Sequence, residues 1–414
     1  MRYLRLLTRA DTLALWGGQL TSVMGDRLYA MAVLWLVLQM TGSAQLMALV
    51  SLSQSLPLVV VGLLAGGLVD SWDRFRGMVA IDLLRALCVA AIPLDYALGT
   101  MAPWHFVVVG AVLGSLEALF APSLQASLPA VVEADDLQAV IGLMDTTSRF
   151  AQILGPGSAG LLLLLLPEQH FFTLDTLTFA ASAASLAFVG HRLRARGAAQ
   201  MDRGGRVRVS DWRGGFDAVR ADAGLATGIS LRVLCNAANA AFTIGAPVLV
   251  ATRFHDGIAQ YGLILGAYGA GSLIGNVLAG NLQFGSRVLV VFSLAWGAMG
   301  LGLLVVAWAP VLWIALVAVL WMGLFGSMQH VSMELTIARR VDRGTLGRVY
   351  ALQRVAMSGA SSLGLLAAGV LLGRSGATAT LALAGGIEVA GAAAVLLVLR
   401  VVQRAPLPAP VESR

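Results

Sequence analysis

Long apolar stretches, each broken by a few polar residues, follow one another along almost the whole chain. Boundaries at charged and turn-forming residues give twelve runs: 12–39, 45–69, 78–98, 104–125, 138–166, 171–191, 225–251, 261–280, 288–308, 311–334, 347–372 and 378–400. Each reaches the ~20 residues a helix needs to cross a bilayer. A β-barrel would show short segments of alternating polarity, whereas these runs are long and continuous. The pattern therefore predicts an all-α polytopic membrane protein. Most connections are short and rich in turn formers, such as "TGSAQ", "GTMAPW" and "WAP". One connection, 192–221, is polar and arginine-rich. It divides the chain into an N-terminal bundle (1–191) and a C-terminal bundle (222–400) of six runs each, with a tail at 401–414.

Composition agrees. Of 414 residues, 58% are hydrophobic and 12% charged, about half the charged share of a soluble domain. The net charge of +6 comes from 28 basic residues, all arginine. A soluble chain this basic would point to nucleic acid, but here the arginines gather in particular loops. With the N-terminus in the cytoplasm, inner segments hold 21 of the 28, outer loops hold only Arg253 and Arg374, and the remainder lie within runs. The positive-inside rule thus predicts cytoplasmic N- and C-termini and a multi-pass protein of the cytoplasmic (inner) membrane, with no nucleic-acid partner. Cys88 and Cys235 both fall inside apolar runs and form no disulfide or metal framework. The first run exceeds a signal-peptide core and lacks a clear cleavage site, so it reads as an uncleaved span.

The connection between the second and third runs carries the densest charge pattern, Gly66-x-x-x-Asp70-x-x-Asp73-Arg74-x-Arg76 followed by Asp82-x-x-Arg85. A solvated turn needs neither alternating signs nor an acid–base pair at i, i+3 inside the next helix, whereas a salt-bridge latch does. The stretch resembles the inner-loop signature of the major facilitator superfamily, closest to the macrolide-exporter and enterobactin-exporter type of drug:proton antiporter. Ser71 and Phe75 stand where that signature has basic residues. The resemblance implies a cytoplasmic latch made by Gly66, Asp70, Asp73, Arg74 and Arg76, extended by Asp82 and Arg85. In the fifth run, Gly155, Pro156, Gly157 and Gly160 stand mid-helix. Small residues there let membrane helices approach closely. The pattern Gly155-Pro156-x-x-x-Gly160 also resembles the antiporter motif of proton-coupled exporters. "FAPSLQASLPAVV" (120–132) and "LGRVYALQR" (346–354) resemble the same group. The implied protein is a monomeric secondary transporter in the lipid bilayer. It uses a proton gradient and no cofactor, and exports amphiphilic, drug-like small molecules by alternating access.

A charge at a helix centre costs roughly 2.5–3.5 kcal/mol on insertion scales, so it should face a partner or a wet cavity. Polar residues recur at i, i+3, i+4 spacing in five runs: Gln19, Ser22, Asp26 and Tyr29; Asp145, Arg149 and Gln152; Arg232, Asn236, Asn239 and Thr243; Ser327, His330 and Glu334; Arg354, Ser358 and Ser361. Such stripes over both bundles predict a shared aqueous cavity, with Trp321 and neighbouring aromatic and methionine residues as its apolar lining. Glu117 is a lone carboxylate in the fourth run. The resemblance places the first and fourth spans side by side, and the two acids agree in depth to within about 5 Å. The expectation is that Arg27 bridges to Glu117 while Asp26 faces the cavity. Asp26 and Glu117 are then the proton-carrying candidates and Arg27 their electrostatic control. Glu388, in a run without a polar stripe, is expected at the periphery.

Other classes remain in view. An intramembrane enzyme would be expected to carry a motif such as H-E-x-x-H or G-x-S-x-G, and neither occurs. Siderophore or lysolipid export by the same fold, and a ligand sensor that transports nothing, are alternatives to drug export.

Overall fold

The computed structural model describes residues 6–69, 73–133, 136–137, 139–144, 147, 150–151, 167, 170–195, 212–254, 257–282, 285–342 and 345–404. Among them the helices are α1 (Ala10–Thr41), α2 (Ala44–Val69), α3 (Arg74–Leu98), α4 (Pro103–Val131), α5 (His170–Ala195), the short α6 (Trp212–Ala221), α7 (Ala223–Leu249), α8 (Ile258–Asn281), α9 (Val288–Trp308), α10 (Leu312–Arg340) and α11 (Leu346–Arg404). No strand occurs among the described residues. Ten of these helices are long and apolar enough to cross a membrane. They coincide with the predicted runs except the fifth, 138–166, most of which lies outside the described residues.

α11 holds both the eleventh and twelfth runs. Its 59 residues would make a rod of about 90 Å, three times the ~30 Å hydrocarbon core. The helical path breaks at Gly376, where φ is 74°. That left-handed conformation penalises any side chain, so glycine there lets the chain turn into a second limb.

The N-terminal helices pack in the same pattern as the C-terminal ones. α2 lies on α4, and both α1 and α3 lie on α5; correspondingly α8 lies on α10, and both α7 and α9 lie on α11. With no water to expel between helices in lipid, such contacts depend on close van der Waals approach. Gly25 illustrates the requirement: a Cβ there would collide with the Asp175 carboxylate and the Thr178 hydroxyl of α5.

The two ends of the bundle differ. At the arginine-rich end, ion pairs stitch each half to itself. Arg9 meets Glu133 and Asp136 (both 3.3 Å), Arg192 meets Asp11 (2.6 Å) and Arg194 meets Asp73 (3.1 Å). In the C-terminal half, Arg340 meets Asp222 at 2.8 Å. Asp73 and Asp222 also cap α3 and α7, accepting from the backbone N–H groups of Arg76 and Leu225. At the opposite end the halves join. Gly369 and Gly373 of α11 abut Ala44, Gln45 and Ala48 of α2, and Trp35 stacks on Tyr261 at 6.1 Å. Deeper in, the Ser55 and Ser362 hydroxyls bond at 3.2 Å. One apolar core runs through both halves here. Toward the arginine-rich end it splits into two separate cores, one per half.

Candidate functional site

Where the core divides, a cavity of about 850 Å³ opens between the halves. α1 contributes Gln19, Ser22, Val23 and Asp26, and α3 contributes Arg85. α4 adds Glu117, Phe120, Ala121, Leu124, Gln125 and Leu128. Ile141 and Met144 follow from the fifth run, and α11 supplies Tyr350 and Arg354. The α4 residues recur at three- and four-residue steps, which keeps them on one helix face. The volume lies within the 300–1,000 Å³ typical of small-molecule sites, and a mostly apolar wall with few charged groups fits that class.

The charge centre of the N-terminal half is Arg85. It is buried (3% exposed) and bonds Glu117 Oε2 at 2.5 Å and Asp82 Oδ1 at 3.4 Å. Its guanidinium also lies 4.6 Å from the Phe120 ring centroid and 5.5 Å from that of Phe179. Two carboxylates and two aromatic faces replace the water this cation gives up.

This arrangement corrects two sequence expectations. Glu117 bridges to Arg85, not to Arg27. Arg27 lies outside the cavity lining, and its Nε has no hydrogen-bond partner. Asp82 and Arg85 are not parts of a surface latch: Asp82 is 0% exposed and both sit within the bundle. The i, i+3 pairing was read correctly, but it lies within α3, and the same Arg85 ties α3 to Glu117 of α4 instead of one half to the other.

Asp26 does face the cavity, as the stripe with Gln19 and Ser22 predicts. Among the described residues neither Asp26 nor Arg354 has a hydrogen-bond or ion-pair partner, although both line the cavity. Gln19 also donates to Ser182 of α5 at 3.2 Å. Tyr29 does not line the cavity. It lies one step beyond, in the continuous core, edge-on to Phe172 at 5.7 Å.

The stripes of α7 and α10 turn inward to their own half, which corrects the expectation that they line the cavity; of the α11 stripe, Arg354 does line it. Arg232 bonds Glu334 Oε1 at 3.0 Å and His330 Nδ1 at 2.8 Å. Asn236 donates to the Met357 carbonyl at 3.0 Å and Asn239 to Glu388 Oε1 at 3.4 Å. Ser327 bonds Ser272 of α8 at 2.7 Å. Glu388 is fully buried rather than peripheral, and its Oε2 is unpartnered. Trp321 faces outward (46% exposed), in a groove with Leu301, Val305 and Trp313, and donates to the Ala298 carbonyl.

In the latch stretch, Asp73 pairs with Arg194 and, at 3.8 Å, with Arg76, while Arg74 donates to the Ala126 carbonyl at 3.0 Å. All these partners lie in the N-terminal half. Gly66 lies within α2. Asp70, Asp145, Arg149, Gln152, Gly155, Pro156 and Gly160 lie outside the described residues.

Asp175 was missed by the sequence reading. It is fully buried on α5 against Gly25, and Thr178 donates to its Oδ1 at 3.2 Å. A carboxylate inside "FFTLDTLTFAA" was a visible signal, but its lack of a stripe hid it. Gln125 and Tyr350 were likewise missed as cavity lining.

The all-helical fold, its spans and the central cavity define a multi-pass membrane transporter of the major facilitator type. A family model described as transmembrane secretion effector matches residues 8–411, and the chain belongs to that family. It is 30% identical to the multidrug efflux pump Tap of Mycobacterium tuberculosis, over 94% of this chain and 93% of that protein. It is 24% identical to macrolide efflux protein A of Streptococcus pyogenes, over 87% and 89%. Among solved structures, the nucleoside transporter NupG matches with a TM-score of 0.73 at 12% identity, covering 95% of this chain and 99% of that one. A bacterial homologue of the iron transporter ferroportin, in an inward-facing state, matches with a TM-score of 0.68 at 16% identity, covering 93% and 99%. Both show likeness of fold.

Proposed function

We propose that this protein is a proton-coupled antiporter that exports amphiphilic small molecules across the cytoplasmic membrane by alternating access. The observation that carries the reading is the cavity between the halves, with the unpartnered Asp26 on its wall. The efflux pumps among its relatives support the direction of transport and the drug-like substrate class. In this reading twelve spans form two six-helix bundles, 1–191 and 222–400, joined by a cytoplasmic loop at 192–221. The arginine-rich end, including the tail at 401–414, then faces the cytoplasm, and the cavity opens inward. Substrate enters from the cytoplasm or inner leaflet. The halves rock, and Asp26, with Glu117 held by Arg85, exchanges a proton for substrate. The protein acts as a monomeric carrier, not an enzyme, and needs no cofactor.

The reading is tested in proteoliposomes loaded with a fluorescent amphiphilic dye. An imposed proton gradient should drive dye movement, a protonophore should abolish it, and Asp26→Asn should reduce it at least about tenfold, the loss of a charged contact. Dye movement indifferent to the gradient overturns proton coupling; no movement of any amphiphile overturns export.

A further inference from the structure

The charges on the cavity wall are unevenly committed. Arg85 is held by two carboxylates and two aromatic rings, and Glu117 by Arg85. That leaves one acid and one base among the described lining residues, Asp26 on the N-terminal wall and Arg354 on the C-terminal wall. Asp26 is half-buried and Arg354 exposed within the lining. Arg27 follows Asp26 in sequence but does not line the cavity, and no ion pair joins them.

The two groups differ in kind. A guanidinium stays charged at any physiological pH and offers a planar fork of donors that fits a carboxylate. An aspartate can hold either a cation or a proton. A purely cationic amphiphile would therefore satisfy Asp26 but enter against the uncompensated charge of Arg354. A purely anionic one would have the converse problem. A molecule with one charge of each sign and an apolar body neutralises both walls at once. Phe120, Leu124, Leu128, Ile141 and Met144 line the same cavity and suit such a body.

We propose that the cavity selects zwitterionic amphiphiles, with Arg354 receiving the substrate's carboxylate and Asp26 its cationic group. The proposal rests on the export reading for the identity of the site, and it adds a substrate class and a specificity residue in the C-terminal half. Proton exchange at Asp26 then releases the cationic end alone, while the carboxylate stays bound until the halves separate.

The test uses two xanthene dyes that differ only at one group: a rhodamine with a free benzoate, and its methyl ester. Binding to the purified full chain in detergent is followed by fluorescence anisotropy. The free acid should bind about tenfold more tightly than the ester, the scale of one charge-assisted hydrogen bond. Arg354→Gln should erase that preference by weakening the acid alone, Arg354→Lys should restore part of it, and Asp26→Asn should weaken both dyes. Equal binding of acid and ester by the unaltered protein overturns the proposal, as does an equal loss of both dyes in Arg354→Gln. Because binding needs no gradient, a retained acid preference without transport in proteoliposomes supports the charge assignment and overturns export instead.

Discussion

The two halves share one packing pattern but use their intramembrane charges differently. In the N-terminal half, Asp26, Glu117 and Arg85 reach the cavity, and Asp82 lies directly behind Arg85. In the C-terminal half, Arg232, His330, Glu334, Asn239 and Glu388 are spent on contacts between α7, α10 and α11. Among the described residues, only Arg354 and Tyr350 line the cavity from that side. The same scaffold thus supports one half whose charges reach the cavity and one whose charges brace its own helices. A polar residue in a membrane helix acquires its role from the helix it faces, not from its polarity.

Substitutions can break this contrast or sharpen it. The largest effect is expected at Arg85. Arg85→Gln leaves Asp82 and Glu117 uncompensated, and breaking a buried ion pair costs about 3–5 kcal/mol. The purified variant should melt well below the parent and transport nothing. Gly25→Leu should come next, forcing α1 from α5 against Asp175 and Thr178; overpacking costs roughly 1–3 kcal/mol, read as a lowered melting temperature. Arg232→Gln, the C-terminal counterpart of Arg85→Gln, should cost about 1–2 kcal/mol, because Glu334 is half-buried and can be hydrated. Dye affinity should be kept, and a loss of affinity equal to that of Arg85→Gln would erase the contrast between the halves. Asp26→Asn should change stability by less than about 0.5 kcal/mol, since it breaks no contact, while abolishing gradient-driven transport. A large fall in melting temperature would instead show Asp26 to be structural. Glu388→Gln should be the mildest in function, leaving transport within about twofold, as expected of a residue remote from the cavity.

How much of this was legible in the sequence depends on the question asked. Apolar runs of membrane-spanning length, read one by one, reproduce the helices, because in lipid the backbone must satisfy itself within each span. The faces of the helices were legible too: Gln19, Ser22 and Asp26 do share one. Tyr29 shares that face in rotation, only about 20° from Ser22, but lies further along α1, past the end of the cavity and within the continuous core. What the helix faces was not legible. The stripe Arg232–Asn236–Asn239 is a real face, but periodicity cannot tell a neighbouring helix from water. The sequence reading pairs Glu117 with Arg27 by depth and gives Arg85 to the latch instead. The choice of Arg85 over Arg27 follows from α3 packing beside α4, a tertiary fact no local pattern encodes.

The seam between Gly369, Gly373 and the α2 residues Ala44, Gln45 and Ala48 has a consequence for control. None of these five residues carries a formal charge, and the ion pairs described above at the far end, among the described residues, each stay within one half. Parting the seam therefore breaks no salt bridge, and ionic strength has little leverage over it. What opposes its opening is the fit of small residues against one another and the readiness of lipid chains to fill the gap. If the halves rock as proposed, acyl-chain length and lateral pressure, more than the buffer on either side, should set how long the protein dwells in each orientation.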